Sequence, residues 1–200
     1  MGKPLGDAAL DQIFRTARTR RGWTEEETPE VLIRATYDLL KLAPTASNIN
    51  PARFLFVRSK EAKARLEPHL DEGNRKQTMA APYTAIIAYD LAFADRLVKL
   101  IPHAPNAKEW FADPGNAEWN AVQSGTLQGA YLIIAARSLG LDCGPMNGFR
   151  REGVDREFFL ADPSMKSWRS NFLCNIGHGD DTRVRSRAPR LDFDEACRIL

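Results

Sequence analysis

The sequence predicts an α+β fold, a sheet flanked by helices with one long helix at its centre, on three observations. Two hundred residues are one domain's worth of chain, long enough for a single substantial core, so residues 1–200 read as one domain. The apolar runs 54–57, 83–89 and 172–176 are rich in β-branched and aromatic residues and too short for helices, so they read as strands. Residues 118–139 form one long helical stretch whose middle, Ala130-Tyr131-Leu132-Ile133-Ile134-Ala135-Ala136, is apolar nearly all round and must be buried in the core or in a dimer interface.

Taken in order, Asp7 offers an N-cap, and Leu10, Ile13, Phe14 and Ala17 follow at helical spacing. This first helix delivers Arg18, Thr19 and Arg21 to its C-terminal end. Thr28-Pro29, an N-cap and a proline at the first helical position, opens a second helix that turns Leu32, Ala35, Leu39 and Ala43 inward and stops at Pro44. Residues 59–70 are charged and helical. Gly140 supplies the C′ stop of the long helix. Residues 144–148 read as a glycine-containing loop and 154–159 as a short helix. Residues 189–200 carry too few apolar side chains for a core of their own and pack onto something else.

Lys plus Arg number 28 against 26 for Asp plus Glu, and a net charge of +2 gives no global argument for nucleic acid or membrane binding. Arginines do cluster, at Arg15, Arg18, Arg20 and Arg21 and again at Arg183, Arg185, Arg187 and Arg190. Such runs serve as solvated faces, or as a phosphate site if folding brings them together. Cys143, Cys174 and Cys197 are odd in number and far apart, giving neither a disulfide framework nor a zinc spacing. His69, His103 and His178 are isolated from one another, and no metal site is expected. Without a basic-then-apolar leader or a membrane-length run, the chain reads as cytoplasmic. Neither G-x-G-x-x-G after a strand, nor G-x-x-x-x-G-K-[ST], nor a G-x-S-x-G elbow is present, so the dinucleotide fingerprint, the P-loop and a common hydrolase pattern are unsupported.

Three loops carry the remaining chemistry. The stretch Ala43-Pro44-Thr45-Ala46-Ser47-Asn48-Ile49-Asn50-Pro51-Ala52-Arg53-Phe54 places two hydroxyls and two carboxamides between prolines. Short neutral donors and acceptors of this kind suit a planar, polar heteroaromatic ring, and they equally make an ordinary chain reversal. Asn74 and Gln77, three apart on a helix, present two carboxamides to one ligand edge or to solvent. In Pro145-Met146-Asn147-Gly148-Phe149 the glycine lets backbone approach a flat ligand, or simply turns the chain.

Five segments in order along nearly the whole chain resemble the FMN-dependent nitroreductase family: Ala17-Arg18-Thr19-Arg20-Arg21-Gly22-Trp23, the Pro44 to Arg53 loop, Gly73-Asn74 through Gln77, Pro145-Met146-Asn147-Gly148-Phe149, and Pro189-Arg190-Leu191 before Asp194-Glu195-Ala196. Within it the chain is most similar to the RutE-type malonic semialdehyde reductases of pyrimidine degradation. That narrower likeness rests on Arg18-Thr19 with Gly22-Trp23, Pro102-His103 with Trp110-Phe111, Leu139-Gly140-Leu141-Asp142 before Gly144-Pro145-Met146, and Asn175-Ile176-Gly177 before Gly179-Asp180.

The resemblance implies a nitroreductase-like fold, a mixed and mostly antiparallel sheet flanked by helices, in an intertwined homodimer. It implies FMN as cofactor, with NADH or NADPH as electron donor. Arg18, Thr19 and Arg21 would hold the phosphate and ribityl end, and Arg190, with Arg187 or its neighbours, would approach the phosphate from the C-terminal segment. Asn74 and Gln77 would meet the pyrimidine edge, and Pro145, Met146, Asn147 and Gly148 would lie along the ring. Pro44, Thr45, Ala46 and Asn48 would come from the second subunit. Three positions depart from the pattern: Gln77 stands where many members have lysine, Asn147 replaces a commoner glutamate, and Arg150 stands where close relatives have an acid. Arg150, His103, Lys108 and Trp110 are the candidates for binding a substrate carboxylate, and no general acid is nominated. The implied reaction is reduction of malonic semialdehyde to 3-hydroxypropionate. The alternatives are a broad-specificity NAD(P)H reductase of nitroaromatics, quinones or enones, and a flavin-binding protein with negligible turnover.

Overall fold

The computed structural model describes residues 2–200. Strands form at the three β-rich runs and extend past them, as β1 (Ala52–Val57), β2 (Tyr83–Asp90) and β4 (Trp168–Gly177), and a further strand, β3 (Asp142–Met146), forms where no run was expected. They make one sheet in the order β1-β2-β4-β3, with every pairing antiparallel. Among the described residues the parallel component of the expected mixed sheet is confined to a single bridge between Thr19 and Cys143. Residues 83–88 of β2 are all buried, the near-continuous pattern of a strand covered on both faces.

Among the described residues eight α-helices accompany the sheet: α1 (Asp7–Leu10), α2 (Glu30–Leu40), α3 (Lys60–Leu66), α4 (Glu72–Ala80), α5 (Leu97–Leu100), α6 (Pro114–Ser138), α7 (Arg151–Asp155) and α8 (Phe193–Ala196). The long helix α6 starts earlier than the apolar pattern indicated, because Asp113 caps it by accepting from the Asn116 N–H at 2.7 Å and Pro114 fits its first turn. It ends before Gly140, whose φ of +80° only glycine adopts without strain.

Two apolar layers fix the sheet between helices. On one face Ile33 and Leu40 of α2 and Leu132 and Ala136 of α6 pack with Ile87, Cys174 and Ile176. On the other, Leu66 of α3, Leu70, Val154 of α7 and Phe159 pack with Ile86 and Leu173. A third cluster, Ile49, Phe93, Leu97, Ile101 and Ala121, anchors the segment around α5 to the start of α6.

Several local expectations change. Asp7 is the first residue of α1 rather than its cap, the helix widens into a π-helical turn over Asp11–Arg15, and Phe14 is exposed while Ile13 is buried. The buried face of α2 is Ile33, Thr36 and Leu40, so Leu39 points outward. Gly144, Pro145 and Met146 belong to β3 rather than to a loop; β3 is an edge strand, where a residue without an N–H is tolerated. Residues 185–200 are exposed throughout on this chain, although a capping box between Asp192 and Glu195 orders the short α8. Among the described residues no helix is long and apolar enough to cross a membrane.

Candidate functional site

The segment after α1 is laid along the outer edge of β3. The Arg20 N–H donates to the Cys143 carbonyl at 2.9 Å, next to the Thr19–Cys143 bridge. Gly144 permits this approach, since a Cβ there would lie 2.5 Å from the Arg20 carbonyl oxygen. The Arg20 side chain then closes the contact, donating from Nε to Asp142 Oδ1 at 2.9 Å and from Nη1 to Asp181. Burial opposes its charge, but Asp181 and Asp142 outweigh it and the guanidinium pKa is raised.

α4 is tied to the same edge from the other side. Trp23 Nε1 donates to the Gln77 carbonyl at 2.9 Å, and Asn74 Nδ2 donates to the Gly148 carbonyl at 2.9 Å. Gln77 Nε2 donates to Asn74 Oδ1 at 2.7 Å, so the two carboxamides orient each other. The result is an open cavity of about 240 Å³, walled by Thr19, Arg20 and Arg21 on one side, by Asn74 and Gln77 on another, and by Gly144, Pro145, Met146 and Asn147 along β3. Three of the five sequence segments thus meet.

Of the phosphate-end candidates Thr19 and Arg21 line this cavity, and Arg18 precedes Thr19 in the chain. Arg18 Nη2 donates to the Arg185 carbonyl, and Arg187 Nη2 donates to the carbonyls of Arg15 at 2.6 Å and Ala17 at 3.0 Å. Folding therefore brings the two arginine-rich segments together. Arg190 is exposed and turns onto its own backbone, bonding the Ala188 and Pro189 carbonyls.

The loop holding Pro44, Thr45, Ala46 and Asn48 lies elsewhere. Its Asn48 lines a second, larger cavity of about 870 Å³ together with Arg53, Lys99, Gln128 and Trp168. Three of its residues take left-handed backbone, Ser47, Asn48 and Asn50 at φ of 45°, 53° and 42°. Non-glycine residues persist there only when neighbours over-determine them. Here Ser124 Oγ accepts from the Ala46 N–H at 3.3 Å, Gln128 bonds both the Ala52 N–H and Asn50 Oδ1, and Arg53 Nη1 holds the Asn50 carbonyl at 3.0 Å.

Of the substrate candidates, Lys108 pairs with Asp95 at 2.6 Å, and His103 and Trp110 are exposed in the segment between α5 and α6. That segment neighbours the Asn48 loop, whose Asn48 Nδ2 donates to the Leu100 carbonyl at 3.0 Å. Arg150 donates to the Pro68 carbonyl, outside the lining of the smaller cavity. Beside it, burial and then the Arg150 charge lower the pKa of His69.

Sequence reasoning passed over Arg20 and Gly144, which shape the cavity as directly as any nominated residue. The available signal was the acids: Asp142 and Asp181 are the counter-charges that an arginine run lacks if it is merely solvated.

The nitroreductase family model matches residues 3–178. A protein of Stenotrophomonas maltophilia (strain R551-3), provisionally named an NADH dehydrogenase/NAD(P)H nitroreductase, is 54% identical over 200 residues, covering all of both chains. One from Caulobacter sp. (strain K31) with the same provisional name is 51% identical over 196 residues, 98% of each chain. Among solved structures, a provisionally named nitroreductase of Bacillus subtilis superposes with a TM-score of 0.86 at 15% identity, over 98% of this chain and 100% of that one. Another from Exiguobacterium sibiricum 255-15, solved in complex with FMN, gives 0.84 at 20% identity over the whole of both chains. At such identities the structures speak to the fold. The match of the family model to most of the sequence, with relatives half identical from end to end, establishes that this chain belongs to the nitroreductase family.

Proposed function

We propose that residues 1–200 act as one FMN-binding unit of a homodimeric NAD(P)H oxidoreductase. The observation that carries this reading is the donor set of the smaller cavity: the carboxamides of Asn74 and Gln77 and the β3 segment on its walls, with Arg20 and Arg21 beside Thr19. A neutral polar ring bearing an anionic tail matches that set. The relatives' names point to NAD(P)H, and the FMN in the Exiguobacterium protein agrees.

FMN, when bound, supplies a two-electron carrier between NAD(P)H and the acceptor. The protein's work is then binding and orientation. Asn74 and Gln77 would meet the pyrimidine edge, Pro145 to Gly148 would lie along the ring, and Thr19 and Arg21 would line the tail. Arg18 spends one of its five N–H donors on Arg185 and keeps the rest for phosphate, with Arg187 or Arg190 beside it. Pro44, Thr45, Ala46 and Asn48 sit away from this cavity on their own chain, so they would serve the flavin of the other subunit. Exposed apolar side chains on α2 (Val31, Tyr37), on α6 (Trp119, Leu127, Tyr131) and in the C-terminal segment (Leu191, Phe193, Ile199) support a dimer that covers them.

Arg18→Ala is expected to weaken FMN binding by about 1.5–3 kcal/mol and to leave riboflavin binding unchanged. Fluorescence titration of the apoprotein with both flavins checks it. Equal losses for the two flavins would assign Arg18 to the fold instead of the phosphate.

For the acceptor, the sequence likeness supports malonic semialdehyde; the second reading is a broad reductase of nitroaromatics, quinones or enones, and the relatives' names, NAD(P)H nitroreductase, favour its nitro part. A site for a short carboxylated aldehyde must compensate the desolvation of that carboxylate, so it discriminates against the uncharged analogue. Malonic semialdehyde is then expected to exceed propanal in kcat/KM by at least about tenfold, the worth of one modest polar contact. Parity with propanal and rapid turnover of nitroaromatics would select the broad reductase. Anaerobic NAD(P)H that leaves the flavin oxidised would leave only a flavin-binding protein.

A further inference from the structure

One buried titratable group stands outside the site as described. Lys63 on α3 is 3% exposed, and no carboxylate pairs with it among the described residues. Its Nζ donates to the Thr78 carbonyl on α4 at 2.7 Å and to the Thr84 hydroxyl on β2 at 2.6 Å. An ammonium without a counter-charge is among the costliest groups an interior can hold.

The bonds continue in one direction. Thr84 Oγ1 donates to Asn175 Oδ1 at 2.6 Å, Asn175 Nδ2 donates to Thr78 Oγ1 at 3.2 Å, and Thr78 Oγ1 donates to Met146 Sδ at 3.5 Å. Lys63 thus bonds both ends of the run Thr84–Asn175–Thr78, the first through its hydroxyl and the last through its carbonyl, and a single charge orients two hydroxyls and one amide, all three fully buried. The chain of bonds ends on the candidate site: Met146 lines the smaller cavity, and so does Gln77, next to Thr78.

Among the described residues no charged side chain is paired with this group. The other charged side chains of α3 (Lys60, Glu61, Arg65) and of α4 (Glu72, Arg75, Lys76) are exposed, and β2 and β4 offer Thr84 and, through it, Asn175. Burial alone brings the Lys63 pKa down to about 7.

We infer that Lys63 is a positioning residue that sets the charge preference of the cavity: acting through Thr84, Asn175 and Thr78, its ammonium favours the reduced, negatively charged state of a bound flavin over the neutral oxidised one. This rests on the flavin reading above. A hydride from NAD(P)H brings two electrons and one proton to a neutral ring and leaves it with one negative charge. A cation held behind the cavity wall in a poorly screened interior attracts that charge and is indifferent to the neutral ring. The deprotonated amine still has two N–H donors for its two partners, so a rise in pH removes the charge and spares the scaffold.

The test is the midpoint potential of the bound flavin, measured by anaerobic titration against a reference dye at pH 6.5 and pH 8.5 in the wild-type, Lys63→Met and Lys63→Gln holoproteins. At pH 6.5 both variants are expected to lose about tenfold in affinity for reduced relative to oxidised flavin, a midpoint lowered by about 30 mV for the two-electron couple. At pH 8.5 the gap closes. Equal midpoints at pH 6.5 overturn the inference, and so does the same gap at both pH values, which would make Lys63 a scaffold residue only. Should neither variant fold, the wild type decides: its midpoint falls with pH more steeply than that of free FMN, and a parallel slope overturns the inference. Wild-type protein that takes up no FMN would remove the flavin reading itself, an outcome distinct from all of these.

Discussion

Asp90→Ala is expected to destabilise the protein by about 3–5 kcal/mol, seen as a lower urea midpoint at unchanged slope. Asp90 and Arg53 form an ion pair at 2.7 Å whose side chains are 3% and 15% exposed. The same carboxylate accepts from the Ala92 N–H at 2.9 Å and from Ser167 Oγ at 2.7 Å. Burial pushes the Arg53 guanidinium pKa down, and Asp90 is the main influence opposing that. Removing the carboxylate strands a buried cation, because nearby Arg96 is positive too. The damage should spread to the loop at 44–50, since Arg53 also holds the Asn50 carbonyl. Replacing both partners, Arg53→Met with Asp90→Ala, should cost less than Asp90→Ala alone. A single-variant loss below about 1 kcal/mol would show that water screens the pair as it does at a surface.

Gly144→Val should close the candidate site. Its first side-chain carbon would fall 2.5 Å from a backbone oxygen, and the bond between the Arg20 N–H and Cys143 keeps that backbone from yielding. Overpacking of this kind costs about 1–3 kcal/mol. The larger effect is on FMN: displacing Thr19 to Arg21 from β3 should weaken binding at least about a hundredfold, or about 2.7 kcal/mol. Thermal unfolding and flavin fluorescence read the two losses separately. Gly73→Ala is the matched control, with nothing within 4 Å of its added carbon. If Gly144→Val binds FMN as tightly as that control, the cavity beside β3 is not where the flavin sits.

The elements were legible wherever one period dominated the residues. Runs at 83–89 and 172–176 had no competing helical reading, and the long helix announced both its apolar middle and its glycine stop. The face of α2 was misread because Leu32 and Leu39 are as apolar as Ile33 and Leu40, one residue on; the sequence offers two adjacent faces and only packing chooses. β3 was missed because glycine and proline argue against a central strand, and nothing local says that this strand is an edge. The i, i+3 pairing of Asn74 with Gln77 is local and was readable. Their meeting with residues 144–147 is tertiary, implied by the family resemblance and by no local pattern. Arg20 shows the same limit, since its partners lie 122 and 161 residues away and only the folded sheet brings them near.

The order of the strands also bears on how this protein would fail. At β3 the sheet cannot readily grow: proline removes one of its donors, and the segment at Thr19 and Arg20 already lies along that edge. Growth is left to β1, whose Arg53-Phe54-Leu55-Phe56-Val57 has high β-propensity, no proline and one charge, and that charge is held by Asp90. Short segments of this composition are the ones that template intermolecular sheets when a chain partly unfolds. The ion pair that steadies the neighbouring loop therefore also guards against aggregation, and its loss would show as insoluble protein before it showed as lost turnover.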